Sequence, residues 1–198
     1  MKKDRLKLSI CICTYNRLAY LRLTIFRIIQ ELKGLSFEIV VVDGGSKDGT
    51  IEFLESNELK KKVSIVLIKQ KKLIGATRSY IVGFEKSRGD YVFPLPDHTI
   101  IHGRPFIESI KILDNQPEIG GVIQKFRATN NRTKNPHNIF NNKLKFFTLG
   151  EQIIYKRSMI KNIDSKYHTH YWACDLMLKA LMEGWEICHT KKLSCEHI

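Results

Sequence analysis

The sequence predicts an α/β domain with a mostly parallel central sheet flanked by helices. Through the first half, short apolar runs of strand length alternate with stretches whose apolar residues recur at helical spacing. Each apolar run also ends in a turn-rich segment that feeds the next helix, so a β-turn-α unit repeats. With 198 residues, 43% of them apolar, the chain suits one domain with its own core, and no internal repeat or interdomain linker stands out.

Leu6 to Cys13 reads as a buried strand. Leu18, Leu21, Ile25, Ile28, Ile29 and Leu32 then recur at helical spacing until Gly34 ends the run. Phe37 to Val42 is a second strand, and the turn Asp43-Gly44-Gly45-Ser46-Lys47-Asp48-Gly49-Thr50 feeds a short helix beginning near Thr50. Val63 to Ile68 is a third strand, Gly75 to Ser87 a helix closed by Gly89, and Tyr91 to Leu95 a fourth strand stopping at Pro96-Asp97-His98. The second half is less regular. It predicts a helix near Pro105 to Leu113, a strand at Gly121 to Phe126, and a polar loop from Arg127 to Lys145 with little to bury. A strand at Gln152 to Tyr155, an amphipathic helix from Trp172 to Glu183 closed by Gly184, and a strand at Trp185 to Cys188 complete it.

Ligands in open α/β sheets bind beyond the carboxyl ends of the strands. Thr14 to Arg17, Asp43 to Ser46 and Asp97-His98 should therefore converge on one edge, although they are far apart in sequence.

A net charge of +13 attracts phosphate of any kind: nucleotide, nucleic acid or anionic membrane. The basic residues fall in short groups (Lys60 to Lys62, Lys69 to Lys72, Lys191-Lys192) without interleaved aromatics, which argues against specific nucleic-acid binding. The five cysteines form no C-x-x-C pair and no ligand-like spacing, which argues against structural zinc and a disulfide framework. No stretch approaches the roughly 20 apolar residues of a membrane span, and the start carries no signal-peptide run. The expected location is the cytoplasm, with the inner face of the membrane as a candidate place of work.

Four strings in order carry a family resemblance. Ser9-Ile10-Cys11-Ile12-Cys13-Thr14-Tyr15-Asn16-Arg17, Val41-Val42-Asp43-Gly44-Gly45-Ser46-Lys47-Asp48-Gly49-Thr50, Gly75-Ala76-Thr77-Arg78-Ser79 and Arg88-Gly89-Asp90-Tyr91-Val92 resemble the opening half of family 2 glycosyltransferases of the GT-A fold. The resemblance implies a single GT-A domain over 1–198, with a nucleotide-binding half (1–100) and an acceptor-binding half (101–198). It implies transfer of a sugar from a nucleotide-sugar, with a UDP-sugar the expected donor, to a hydroxyl of a saccharide or lipid-linked saccharide. Inverting displacement and polysaccharide or surface-glycan synthesis belong to the same implication.

By that resemblance Thr14, Tyr15, Asn16, Asp43, Gly45, Ser46, Arg78 and Asp97 bind the nucleotide. The chemistry agrees, since a base needs a flat surface and an acceptor for its N–H, which Tyr15 and Asp43 could supply. A plain turn, with an aromatic at Tyr15 and glycines providing unusual dihedrals, is the bland alternative. The family's metal motif aligns with Asp97-His98, an imidazole replacing the second acid. Asp97, His98 and His197 are the candidate ligands for a divalent cation, and imidazole suits Mn²⁺ better than Mg²⁺. The family's late E-D-x-D-L aligns with Trp172-Ala173-Cys174-Asp175-Leu176, leaving Asp175 as the candidate base, with His168 and His170 as substitutes. An ordinary helix N-terminal charge is the alternative for Asp175, and core packing is favoured over a sugar platform for Trp172 and Trp185. Two other readings of the whole chain stand beside the transferase: a nucleotide-binding protein of the same fold that has lost catalysis, and a basic nucleic-acid-binding protein.

Overall fold

The computed structural model describes residues 5–127, 152–161, 163, 164, 166 and 171–197. Its elements run β1 (Leu8–Thr14), α1 (Leu18–Glu31), β2 (Phe37–Asp43), α2 (Thr50–Glu55), α3 (Asn57–Lys60), β3 (Ser64–Lys69), α4 (Ala76–Lys86) and β4 (Tyr91–Pro96). They continue with β5 (Thr99–Ile101), α5 (Gly103–Asn115), β6 (Ile119–Arg127), β7 (Ile153–Lys156), a 3-10 turn at Arg157–Met159, α6 (Tyr171–Met182) and β8 (Glu186–His197).

The strands form one sheet in the order β3-β2-β1-β4-β7-β6-β8-β5. The first four are parallel, as the repeated β-turn-α unit requires. Of the other junctions, β6/β8 is parallel while β4/β7, β6/β7 and β5/β8 are antiparallel, so the second half of the sheet is mixed.

Alternation along the strands builds a core on each face. Leu8, Ile10 and Ile12 of β1 pack with Leu21, Ile25 and Ile28 of α1 and Phe106 of α5. Cys11, between them in sequence, joins Val40, Val92, Tyr80 and Phe84 on the other face, together with Trp172 and Met177 of α6. Trp172 is 1% exposed, against Tyr80 and Phe84 with ring centroids 5.8 and 5.5 Å away, so it packs the core.

Three departures from the sequence reading have physical reasons. The strand expected at Trp185 to Cys188 runs from Glu186 to His197, because its later half pairs with Lys125 to Arg127 and with β5 across register shifts that break the alternation. β5 was not anticipated: three residues are too short to show a period, and β8 recruits them. The short helix at Thr50 is followed by a second, α3, opened by the Ser56 hydroxyl accepting the Leu59 N–H. Residues 128–145 of the expected loop lie outside the described residues.

Candidate active site

Strand register brings the predicted segments together. Thr14 pairs with Asp43 and Cys13 with Pro96, so the turns after β1 and β2 and the residue after β4 emerge side by side. The two turns are then tied to each other. Asn16 adopts φ 51°, a left-handed conformation that asparagine tolerates, and its side-chain oxygen accepts the Lys47 N–H at 2.8 Å. In return the Asn16 N–H donates to Ser46 Oγ at 2.8 Å, and the Gly44 N–H donates to the Thr14 carbonyl at 2.9 Å. Asp48 accepts the Leu18 N–H at 2.9 Å and so joins the start of α1 to the same turn.

Asp43 is fully buried at the base of this arrangement. Its Oδ1 accepts the N–H groups of Gly45 and Ser46, each at 2.9 Å, closing a turn in which Gly45 takes φ 92°. Its Oδ2 is equally buried and has no partner. An unpaired buried carboxylate oxygen is costly, and native structures keep such groups where a ligand or water completes them. Val42 and Gly44, on either side of Asp43, line a cleft of about 240 Å³ together with Thr14, Tyr15, Arg17, Leu73 and Asp97. Tyr15 is 42% exposed there, a ring face available for stacking.

Asp97 forms the second acidic point. It is 4% exposed, and Thr14 Oγ1 donates to its Oδ2 at 2.8 Å. Its Oδ1 accepts from Arg17 Nη1 at 3.2 Å and stands 3.0 Å from His98 Nδ1. Burial alone would push this carboxyl up, but the contacts from His98, Thr14 and Arg17 outweigh it and hold it below the ordinary range. Thr24 of α1 fixes the backbone, donating to the Asp97 carbonyl at 3.0 Å while accepting the Thr99 N–H at 3.1 Å.

As they stand, these donors do not fit a divalent ion. Arg17 Nη1 lies 3.2 Å from both Asp97 Oδ1 and His98 Nδ1, the two atoms that would ligate the metal. Among the described residues no group of three or more His, Cys, Asp or Glu side chains is placed to hold one. His197 pairs in register with Thr99, next to His98 in the fold, but its side chain lies outside the described residues.

The structure thus gathers Thr14, Tyr15, Asn16, Asp43, Gly45, Ser46, Asp97 and His98. Of these Thr14, Tyr15 and Asp97 line the cleft; Asn16, Gly45 and Ser46 serve as the frame of the turns, and Asp43 and His98 stand behind the lining. Arg78 is exposed on α4 and absent from the cleft lining, although Ala76 and Ser79 on the same helix belong to it. Asp175 also lies outside the lining, in an ion pair with Lys179 at 2.6 Å. His168 and His170 lie outside the described residues. Sequence reasoning gave no role to Arg17 or Leu73. Arg17 was legible only as the end of a motif, and Leu73 as part of a basic connection whose course over Gly44 no local pattern reports. A larger cavity of about 440 Å³, lined by Ile81, Phe84, Arg157 and Ile160 among others, lies elsewhere. Arg157 there bonds the Gly89 carbonyl ahead of β4, at the opposite ends of the strands.

A parallel β3-β2-β1-β4 sheet with buried carboxylates at the carboxyl ends of β2 and β4 defines the class: a GT-A domain. The chain belongs to glycosyl transferase family 2, whose pattern it matches over residues 9–183. It is 38% identical over 97 residues to a dolichol-phosphate mannosyltransferase of Pyrococcus furiosus, covering 49% of this chain and 27% of that protein. It is 34% identical over 89 residues to an undecaprenyl-phosphate 4-deoxy-4-formamido-L-arabinose transferase of Pseudomonas paraeruginosa, covering 44% and 26%. The chain thus spans about a quarter of the length of these curated relatives. Among solved structures it superimposes on S. aureus TarS 1-349 in complex with UDP with a TM-score of 0.82 at 18% identity, covering 96% of this chain and 60% of that one. It also resembles the mannosyltransferase PcManGT from Pyrobaculum calidifontis in complex with GDP-Man and Mn²⁺, with a TM-score of 0.74 at 15% identity over 98% and 57%. At these identities the structural matches establish the fold.

Proposed function

We propose that this domain binds a nucleoside diphosphate sugar, a UDP-sugar, in the cleft beside Tyr15 and transfers the sugar to a lipid-linked or saccharide acceptor. The observation that carries it is the buried, unpartnered Asp43 Oδ2 behind the cleft wall. It is an acceptor awaiting a donor such as the N–H of a nucleotide base. Tyr15 provides the stacking face, and Asp97 stands where a ribose hydroxyl or the diphosphate would follow. The names of the relatives, dolichol-phosphate and undecaprenyl-phosphate transferases, support the lipid-linked acceptor.

In a single inverting displacement the acceptor oxygen bonds to the anomeric carbon as the bond from that carbon to the β-phosphate oxygen breaks. The electron pair stays on the departing diphosphate, and the acceptor proton passes to a base. Asp175 is the base we propose, exchanging its Lys179 contact for the acceptor hydroxyl. The setting we propose is the cytoplasm, at the inner membrane face. The absence of any disulfide among the described cysteines suits a reducing compartment, and the +13 charge suits an anionic surface.

Calorimetric titration with UDP tests the site. Asp43→Ala should weaken binding about tenfold or more through loss of a charged acceptor. Asp175→Asn should bind UDP as the parent does while losing sugar transfer. Unchanged affinity in Asp43→Ala would remove the reading.

A further inference from the structure

We propose that the Arg17 guanidinium takes the place of the divalent cation in this domain, supplying the fixed positive charge that holds the donor diphosphate beside Asp97. The inference rests on the donor-binding function proposed above and concerns how that donor is held.

The geometry is specific. A cation ligated by both Asp97 Oδ1 and His98 Nδ1 would sit within bonding reach of each, and Arg17 Nη1 already stands 3.2 Å from both atoms. The two candidate ligands are themselves in contact at 3.0 Å, and the guanidinium nitrogen stands beside that pair, on both atoms at once. The other carboxylate oxygen is taken by Thr14 Oγ1 at 2.8 Å. A divalent ion entering here would displace Arg17 or face its charge at contact distance, and would gain a single protein carboxylate in exchange.

Arg17 is also suited to what the ion would otherwise do. It lines the cleft, and its side chain is half exposed while Asp97 is not; Nη1 is anchored on Asp97 and His98, and the guanidinium lies over the Tyr20 ring at 5.9 Å. A guanidinium anchored in this way presents paired N–H donors to phosphate oxygens and stabilises the negative charge that grows on a departing diphosphate. Its placement comes from the fold. Arg17 precedes α1, whose Thr24 holds the Asp97 carbonyl, so the arginine and the aspartate keep one register.

The test is calorimetric titration of the full chain with UDP, GDP, CDP and TDP, in chelator and in Mn²⁺, for the parent, Arg17→Ala and Arg17→Lys. The parent should bind one nucleotide in chelator, with Mn²⁺ changing its affinity less than about threefold. Arg17→Ala should bind about tenfold to a hundredfold more weakly in chelator, the loss expected of a charge-assisted contact. It should also become responsive to Mn²⁺, because the positive charge facing Asp97 Oδ1 and His98 Nδ1 is gone. Arg17→Lys, which keeps the charge without the fork, should recover part of the loss and guards against a folding effect of the alanine. Strict Mn²⁺ dependence in the parent, or parent-like affinity of Arg17→Ala in chelator, would overturn the inference while leaving the donor site in place. Binding of no nucleotide in either buffer would overturn the functional reading and this inference together.

Discussion

Asp48 shows how one side chain ties the site together. It accepts the Leu18 N–H at 2.9 Å, and its other oxygen accepts the Thr50 hydroxyl at 2.6 Å and the Thr50 N–H at 3.2 Å, joining the starts of α1 and α2. Slight burial opposes its ionisation, but these donors outweigh it and hold the carboxyl below its ordinary 3.8. A carboxyl depressed in the folded state contributes stability that is present above its unfolded value and lost as pH falls through the folded one. Asp48→Ala should therefore cost about 1 kcal/mol at neutral pH, as loss of a solvent-exposed hydrogen-bonded carboxylate does, and the gap should close in acid. Urea unfolding at pH 7 and near pH 3 checks this, and a gap of constant size would refute it. This turn was legible in sequence as a run of Gly, Ser and Asp. Which oxygen each backbone N–H uses was not, because that depends on two turns 30 residues apart meeting.

At the scale of elements, α1 and α5 meet where no side chain fits. A Cβ at Gly103 would stand 1.9 Å from the Glu31 carbonyl, and the Gly103 N–H donates to Glu31 Oε2 at 2.9 Å. Gly103→Ala should push α5 off the end of α1 and cost about 3 kcal/mol, the upper range of overpacking. Because Arg17 immediately precedes α1 and Thr24 lies on it, nucleotide affinity should fall with it; urea unfolding and UDP titration measure the two effects. An unperturbed variant would show that the helices can separate freely. The helices and parallel strands of the first half follow from apolar periods that a short window contains. β5 and the later half of β8 do not, since Leu193, Cys195 and Glu196 pair with distant β5 and β6 across register shifts that no local pattern reports.

For the whole molecule, a ligand that binds the folded chain alone stabilises all of it. The cognate nucleoside diphosphate at 100 times its dissociation constant should add about 2.7 kcal/mol. In a domain of this size that raises the unfolding temperature by about 5–10 °C. Differential scanning fluorimetry reads the shift, and an equal shift with a generic oligonucleotide would favour the basic nucleic-acid reading instead. By itself the sequence determined the α/β class, the family, and the convergence of Thr14, Asp43 and Asp97, because strand period and turn composition are local and the rule for strand ends is general. Only the tertiary structure decided that Asp43 keeps one oxygen unpaired, that Trp172 is core, that Asp175 and Arg78 lie outside the cleft lining, and that Arg17 stands on both Asp97 and His98. Those outcomes depend on which side chains from separate elements share a few ångströms, and that distance is set by packing the sheet and its helices as a unit.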